Sequence, residues 1–374
     1  MRKKNIIISI LTILAIISAG FFLFFSVSDE KQPLFNKTSV CETMKNYYVD
    51  PDGSDANKGL SPKAPLATIQ KALDLAEPCS TINLSPGTYL QDFQSRRDGS
   101  EGNPIVITGP SSAIVKGAGK PRVIEINHDY ITLENFSVDG LSGDPEKKSS
   151  YRDKLIYVQG KDDRSGVTGL KMIDMHIRNA GGECVRLRYF AQKNEISGNK
   201  ITNCGAYDFR LGGKGKNGEG IYVGTAPEQR DDGKNPTDGT DHSDGNWIHD
   251  NTIDTQGNEC VDIKEGSSGN IVENNTCTGQ KDEDSGGLCS RGSKNIFRNN
   301  TSYGNAGSGI RLGGDKKDDG ISNDVYGNII KENARGGIRV MRYPQGKICG
   351  NEFIDNGDED FTGSYEEKFK ATDC

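Results

Sequence analysis

Six short segments carry the side chains that could do chemistry: NAGGECVRLR (179–188), KNGEGIYVG (216–224), GNECVDIKEG (257–266), SGGLCSRGS (285–293), AGSGIRLGG (306–314) and ARGGIRVMR (334–342). They align on apolar positions Val185/Leu187, Ile221/Val223, Val261/Ile263, Leu288, Ile310/Leu312 and Ile338/Val340. Side chains alternate across a strand, so the residues between and after these positions point outward. One outward column then reads Arg186, Tyr222, Asp262, Cys289, Arg311, Arg339, and the next Arg188, Gly224, Lys264, Arg291. A ladder of acids, Glu183, Glu219 and Glu259, stands just upstream of three successive strands. Lys264 with Arg291 one rung along would supply a proton acceptor beside a fixed positive charge. The stacked acids, with Asp262, would repel one another unless a cation sat among them, and such oxygen-rich sets suit Ca²⁺. Arg186, Arg188, Tyr222, Arg311 and Arg339 would hold an anionic ligand. For each residue alone the bland alternative is a solvated charge on a strand face.

The elements that position these residues follow from a second pattern, an apolar residue followed three later by Asn: Ile196/Asn199, Ile248/Asn251, Ile271/Asn274, Ile296/Asn299, Val325/Asn328 and Ile348/Asn351. The asparagine spacings are 52, 23, 25, 29 and 23, a rung of about two dozen residues with the 52 read as two rungs. Short strands, Gly and Asn turns and this period imply an all-β right-handed parallel β-helix, a single-stranded solenoid of ten or eleven coils over about 104–356. Stacked asparagines can hydrogen-bond along the ladder and tolerate left-handed backbone angles. Residues 46–89 read as strand, loop, amphipathic helix (Leu66, Ile69, Leu73, Ala76) and strand, a cap for the first rung of a domain spanning 46–374. Two segments break the period beside the loaded face, 225–245 and 313–320. They either wall a groove, hold an ion or are disordered loops.

The composition, with 47 glycines among 374 residues, suits turn-rich β structure rather than a helical core. A formal charge of −7 gives no general attraction to nucleic acid, and none is expected as a partner; the local basic face points instead to a specific anionic ligand. The cationic start Met1-Arg2-Lys3-Lys4 and the apolar run Ile6 to Phe25 form an export signal or retained membrane anchor over 1–25, followed by a polar linker over 26–45. Either way the remainder lies outside, where nine cysteines become disulfide candidates and one is left over. Cys41 and Cys79 bracket the N-terminal module, and Cys349 and Cys374 close the C-terminus. The chain is expected to be a monomer.

YYVDPDGSDANKG, APLATIQKALDLA and INLSPGTY together resemble the opening of right-handed β-helix polysaccharide lyases. ECVDIKEGSSGNIVENN (259–275) followed by LCSRGSKNIFRNN (288–300) is similar to the paired rungs of the chondroitinase B and alginate lyase family, polysaccharide lyase family 6. That resemblance implies Lys264 as base, Arg291 near the leaving oxygen and Glu259 as a calcium ligand. The sequence departs from the pattern at Glu265, where the family has Ser, and at Gly257, where a second acid is expected; Glu219 and Glu183 would substitute. Cleaving a uronide by β-elimination removes the C5 proton, which requires the adjacent carboxylate to be neutralised. The base must be neutral when it acts, and Arg291 and Arg188 would lower the pKa of Lys264, offset partly by Asp262 and Glu265. The reading is thus an exported, Ca²⁺-dependent lyase acting on a uronate polysaccharide of the alginate, pectate or glycosaminoglycan type. A non-catalytic carbohydrate-binding or adhesion protein is the alternative; a glycosidase, which needs two carboxylates across the scissile bond, ranks below both.

Overall fold

A computed structural model describes Cys41 and residues 44–374. The cationic start, the apolar run and nearly all of the linker lie outside the described residues; among those described, no helix is long and apolar enough to cross a membrane. Three parallel sheets of eleven, ten and ten strands run the length of the molecule, and each coil adds one strand to each sheet. This is the right-handed parallel β-helix that the period implies.

The core is built by stacking like on like. In the sheet that carries the site, Ile124, Ile156, Val185, Ile221, Val261, Leu288, Ile310 and Ile338 follow one another in register, all fully buried. Burial of each such side chain stabilises the fold by about 1.5–3 kcal/mol. The alternate residues face outward in the predicted order: Arg186, Tyr222, Asp262, Cys289, Arg311 and Arg339 are successive register partners. The column also continues the other way, through Tyr157 and Glu125.

The asparagine ladder is present, one residue displaced at two rungs. Asn199, Asn251, Asn275, Asn300, Asn328 and Asn351 form the hydrogen-bonded line, each side-chain oxygen accepting from the amide groups of the Asn one coil before. Asn274 and Asn299, expected to stack, instead hold the left-handed turn (φ 56° each) that precedes the ladder residue. A second line runs through Asn194, Asn246, Asn270 and Asn295, and a third through Asn305, Asn333 and Asn356. The tripeptide Asn300-Thr301-Ser302 has the N-glycosylation pattern, but Asn300 belongs to the buried ladder and its amide is closed to modification.

The interval of 52 residues is one coil, not two: strand Glu195–Ser197 pairs directly with Trp247–His249. The surplus residues leave as two insertions that flank strand Ile221–Val223. The first carries a helical turn over Ala206–Arg210 and the second a short helical turn over Pro227–Gln229. A single enlarged coil therefore supplies both walls of the site. At the N-terminal end the rungs start earlier than 104, since strand Lys45–Val49 already pairs with Ser80–Leu84. Helix Ile69–Leu75 packs beside them, burying Ile69, Ala72 and Leu73, and Thr68 caps it.

Four disulfides form: Cys41–Cys79, Cys184–Cys204, Cys260–Cys277 and Cys349–Cys374. They place the folding of the chain in an oxidising compartment. Cys184 and Cys260 sit between a ladder acid and its strand, so the bridges also fix the backbone under Glu183 and Glu259. Cys289 is the leftover thiol, buried beneath the site.

Candidate functional site

The loaded column faces away from the core yet is not exposed. Arg186, Arg188, Tyr222, Asp262 and Cys289 are all at most 2% accessible, and the insertion over 225–245 folds down over the first three. Arg186 donates to Gln229 Oε1 at 2.6 Å; Arg188 donates to Asn235 Oδ1 at 2.6 Å and to Asp232 Oδ1 at 2.7 Å. The far end of the insertion is pinned by buried Asp241, which accepts from the backbone N–H of Tyr189 and Phe190 and from the hydroxyls of Thr225 and Ser243. Of the alternatives left open for this insertion, it is a wall. Arg188 as placed is committed to holding that wall.

Lys264, the proposed base, lies under this wall with its Nζ 2.5 Å from Asp262 Oδ2 and 4.6 Å from the centroid of the Tyr222 ring. Tyr222 is gripped from its other neighbour by the Arg186 guanidinium at 3.8 Å, and burial pushes its phenol pKa up. Arg291 Nε lies 4.0 Å from the same Asp262 oxygen. Gly224 occupies the position beside Lys264 in its column; a Cβ there would come within 2.5 Å of Ser267 Oγ, and its φ of +93° favours glycine.

The expected lowering of the Lys264 pKa does not occur. Burial pulls its ammonium down, but the Asp262 carboxylate and the Tyr222 ring outweigh that and hold the proton well above the ordinary lysine range. The Asp262 contact is closer than any of the like charges, and in a buried site the nearest partner dominates. Reciprocally, burial would raise Asp262, and Lys264 with Arg291 holds it low.

The acid ladder divides. Glu183 is already neutralised, 2.5 Å from Arg186 Nη1 and 2.8 Å from Lys154 Nζ; against the cost of burial these cations bring its pKa down to about 2. Glu183 is therefore no free cation ligand. Glu219 has no such partner: burial first, then the charges of Glu183 and Glu259, push it up to about 8. Glu259 is also raised, by burial and then by Asp262. Glu259 Oε2, Asp262 Oδ1 and Asn258 Oδ1 are buried without a hydrogen-bond donor. Carboxylate oxygens that lack donors and repel one another fit a hard cation, so Glu259, Asp262 and Asn258 would hold Ca²⁺, with Glu219, which accepts from the Gly218 N–H, at the border of the same cavity. Cys289 approaches Glu259 and Asp262 closely, but burial raises its thiol to about 12, and a neutral thiol is a poor partner for such an ion. Glu265 is buried with neither carboxylate oxygen hydrogen-bonded.

Lys264, Glu219, Glu259, Glu265, Arg291 and Tyr222 line a cavity of about 240 Å³. A second, of about 730 Å³, lies along the same sheet and is lined by Arg122, Lys148, Lys154, Tyr157, Arg186 and Tyr207, among others. Asn217 and Gln229 border both, so the two form one groove along the face. The sequence reading missed Lys154, Tyr157 and Arg122. The strand KLIYVQ over 154–159 shows the same alternation and would have extended the column by a rung. Arg311 borders the site through Cys289, donating to Gly313 O at 2.8 Å. Arg339 lies further along, against Asp284 O in a separate depression with Glu283 and Arg335.

Stability provides a check on the cation site. Glu219 is protonated in the folded chain up to about pH 8 but only to its ordinary 4.5 when unfolded, so folding binds a proton between these values and raising the pH through them is destabilising. Glu183, with its folded pKa near 2, contributes its full stabilisation above 4.5 and adds no slope in this window. In chelator, melting temperature should fall from pH 5 to pH 8 more steeply for the wild type than for Glu219→Gln, and Ca²⁺ should restore the wild type at pH 8. Equal slopes for the two proteins, with no response to Ca²⁺, would remove the site.

Comparisons with known proteins agree on the architecture. Solved structures similar to this chain include the alginate lyase from Paenibacillus sp. str. FPU-7 (TM-score 0.64, 22% identity, 79% of this chain and 95% of that one). Pectate lyase Pel9A aligns with TM-score 0.59 at 13% identity over 86% of this chain and 80% of its own. A mannuronic acid specific polysaccharide family 6 lyase from human gut microbiota aligns at 0.53 and 17% over 87% and 83%. The uncharacterized protein YwoF of Bacillus subtilis (strain 168) is 28% identical over 157 residues, 39% of this chain; the match spans about a third of that relative, 31% of its length. The family model for the right handed beta helix region matches residues 156–366, more than half of the 374. With the three sheets and the coil register already described, this makes the chain a member of the right-handed β-helix family.

Proposed function

We propose that this protein is an exported polysaccharide lyase of the family 6 type, cleaving a uronate-containing polysaccharide by β-elimination. The observation that carries the reading is the buried Lys264–Asp262 pair with partly buried Arg291, beside donor-less carboxylate oxygens of Glu259 and Glu265, in a groove lined by further cations. The structural neighbours named for alginate, pectate and mannuronic acid support the substrate class. Lys264 takes the C5 proton, Arg291 meets the developing charge, and Tyr222 with Arg186 walls the sugar subsite. When bound, Ca²⁺ would neutralise the uronate carboxylate and offset Glu259 and Asp262, two of the charges that keep Lys264 protonated. The apolar run over 6–25 would direct export.

A second reading is favoured by one specific observation: Lys264 is held as a cation by Asp262, which suits a binding protein as well as a base in its resting state. Incubation with alginate, pectate and glycosaminoglycans, with Ca²⁺ or chelator, separates the two. Ultraviolet absorbance from unsaturated uronate ends, dependent on Ca²⁺, is expected; retention of a polymer without any such product would establish the binding protein instead.

Arg122 lies outside the segments read from sequence, yet it borders the groove and stacks 3.6 Å over Tyr157. Arg122→Ala and Arg311→Ala should both weaken retention on the anionic polymer several-fold. Lys331→Ala, on a different sheet, should not. Equal losses from all three would mean nonspecific charge attraction.

A further inference from the structure

On the sheet that contains Trp247–His249, away from the groove, the structure holds a rigid aromatic platform. The Trp247 indole lies flat on the His249 imidazole, with ring centroids 3.7 Å apart and planes 23° from parallel. Its Nε1–H donates to Glu273 Oε1 at 2.6 Å, and Glu273 is itself held by Arg298. Below it His249 is held through Nδ1, 2.6 Å from Asp250 Oδ2, and its Nε2 lies 3.5 Å from Glu195 Oε1. Lys171 holds Glu195 from the adjoining rung at 2.7 Å. The imidazole is buried at 9% accessibility while the indole above it is 42% accessible. Nothing in this arrangement serves the core, since the core-facing residue of the strand is Ile248. An exposed large aromatic held in one orientation by a stacked imidazole and a hydrogen-bonded carboxylate is a preorganised binding surface.

We infer that Trp247 is the centre of a second carbohydrate-binding site, one for a neutral pyranose chain, on a different face of the solenoid from the groove. An indole presents an electron-rich face that packs against the apolar C–H face of a sugar ring, and the carboxylates beside it can accept from the sugar hydroxyls. The register extends the strip, because Ile271 and Ile296, both half-buried, follow Trp247 in the same column. That strip covers two rung spacings, about 10 Å, which suits two or three sugar units and is far below the ~800 Å² per partner of a stable protein interface. Charge decides which sugar. Three carboxylates (Glu195, Asp250, Glu273) face two cations (Lys171, Arg298), leaving one negative charge, whereas in the larger cavity of the groove lysines and arginines outnumber the carboxylates. A uronate is repelled here and a neutral hexose is not.

Trp247 is the single tryptophan of the chain, so emission excited at wavelengths that tyrosine does not absorb reports on this site alone. Titration with cellohexaose and mannohexaose should change that emission saturably with at least one of them, while a mannuronate hexamer should not. The change should persist in Lys264→Arg, which alters the groove while keeping a cation against Asp262. By calorimetry, Trp247→Ala should bind the neutral hexasaccharide about tenfold more weakly and Trp247→Phe should retain most of the affinity, with groove activity unchanged in both. No emission change with either neutral sugar, an equal change with the mannuronate hexamer, loss of the change in Lys264→Arg, or wild-type affinity in Trp247→Ala would each overturn the inference.

Discussion

Lys264→Ala is expected to abolish formation of unsaturated uronate product, a loss of about two to four orders of magnitude, because a positioned base contributes that much to proton transfer. The residue has the reach and the surroundings for the role: it lines the cavity with Arg291 and the acid cluster, and Gly224 leaves room beside it. Retention of the polymer should largely survive, since Arg122 and Arg311 remain. Removing one member of a buried ion pair also strands Asp262, which is destabilising in its own right. Lys264→Arg separates the two effects. It keeps a cation against Asp262 and so the fold, but a guanidinium does not give up its proton near neutral pH, and the variant should melt near the wild type while remaining inactive. Full activity in either variant would move the chemistry elsewhere on the helix.

The second large effect concerns the spine rather than the site. Asn275 accepts from the backbone N–H and the side-chain amide of Asn251, and donates to Ile248 O, Glu273 O and Asn300 Oδ1, at 2.9–3.1 Å throughout. Every one of these groups is buried. Asn275→Ala deletes the bonds and leaves several polar atoms unpaired, at about 1–3 kcal/mol for each unsatisfied group. A total loss of about 3–5 kcal/mol is expected, read from denaturant unfolding, with coils on both sides of the lesion weakened because each rests on its neighbour. Asn274→Ala, one position earlier and exposed, should cost only about 1 kcal/mol, for placing alanine in a left-handed turn, and Asn274→Gly close to nothing. If the two alanine variants were equally destabilised, the ladder would not be the spine of the fold.

That pair of neighbours also marks where reading the chain stopped short. Period and alternation depend only on the order of residue types, so the solenoid, the column from Arg186 to Arg339 and the presence of an asparagine ladder were legible. Where two asparagines stand side by side, as at 274–275 and 299–300, the pattern does not choose between them; the choice is made by which side chain turns inward to meet its neighbours' amides. Likewise, 52 residues can be two rungs or one rung with insertions, and only the direct pairing of Glu195–Ser197 with Trp247–His249 decides it. That decision carries the most weight for the site, since the second of these insertions covers Arg186, Arg188 and Tyr222 and borders the cavity that holds Lys264. Charge followed the same division. Sequence placed Lys264 among both signs of charge, whereas the 2.5 Å approach of Asp262 decided that the lysine keeps its proton in the resting protein, because electrostatic energy depends on distance and burial and residue order supplies neither.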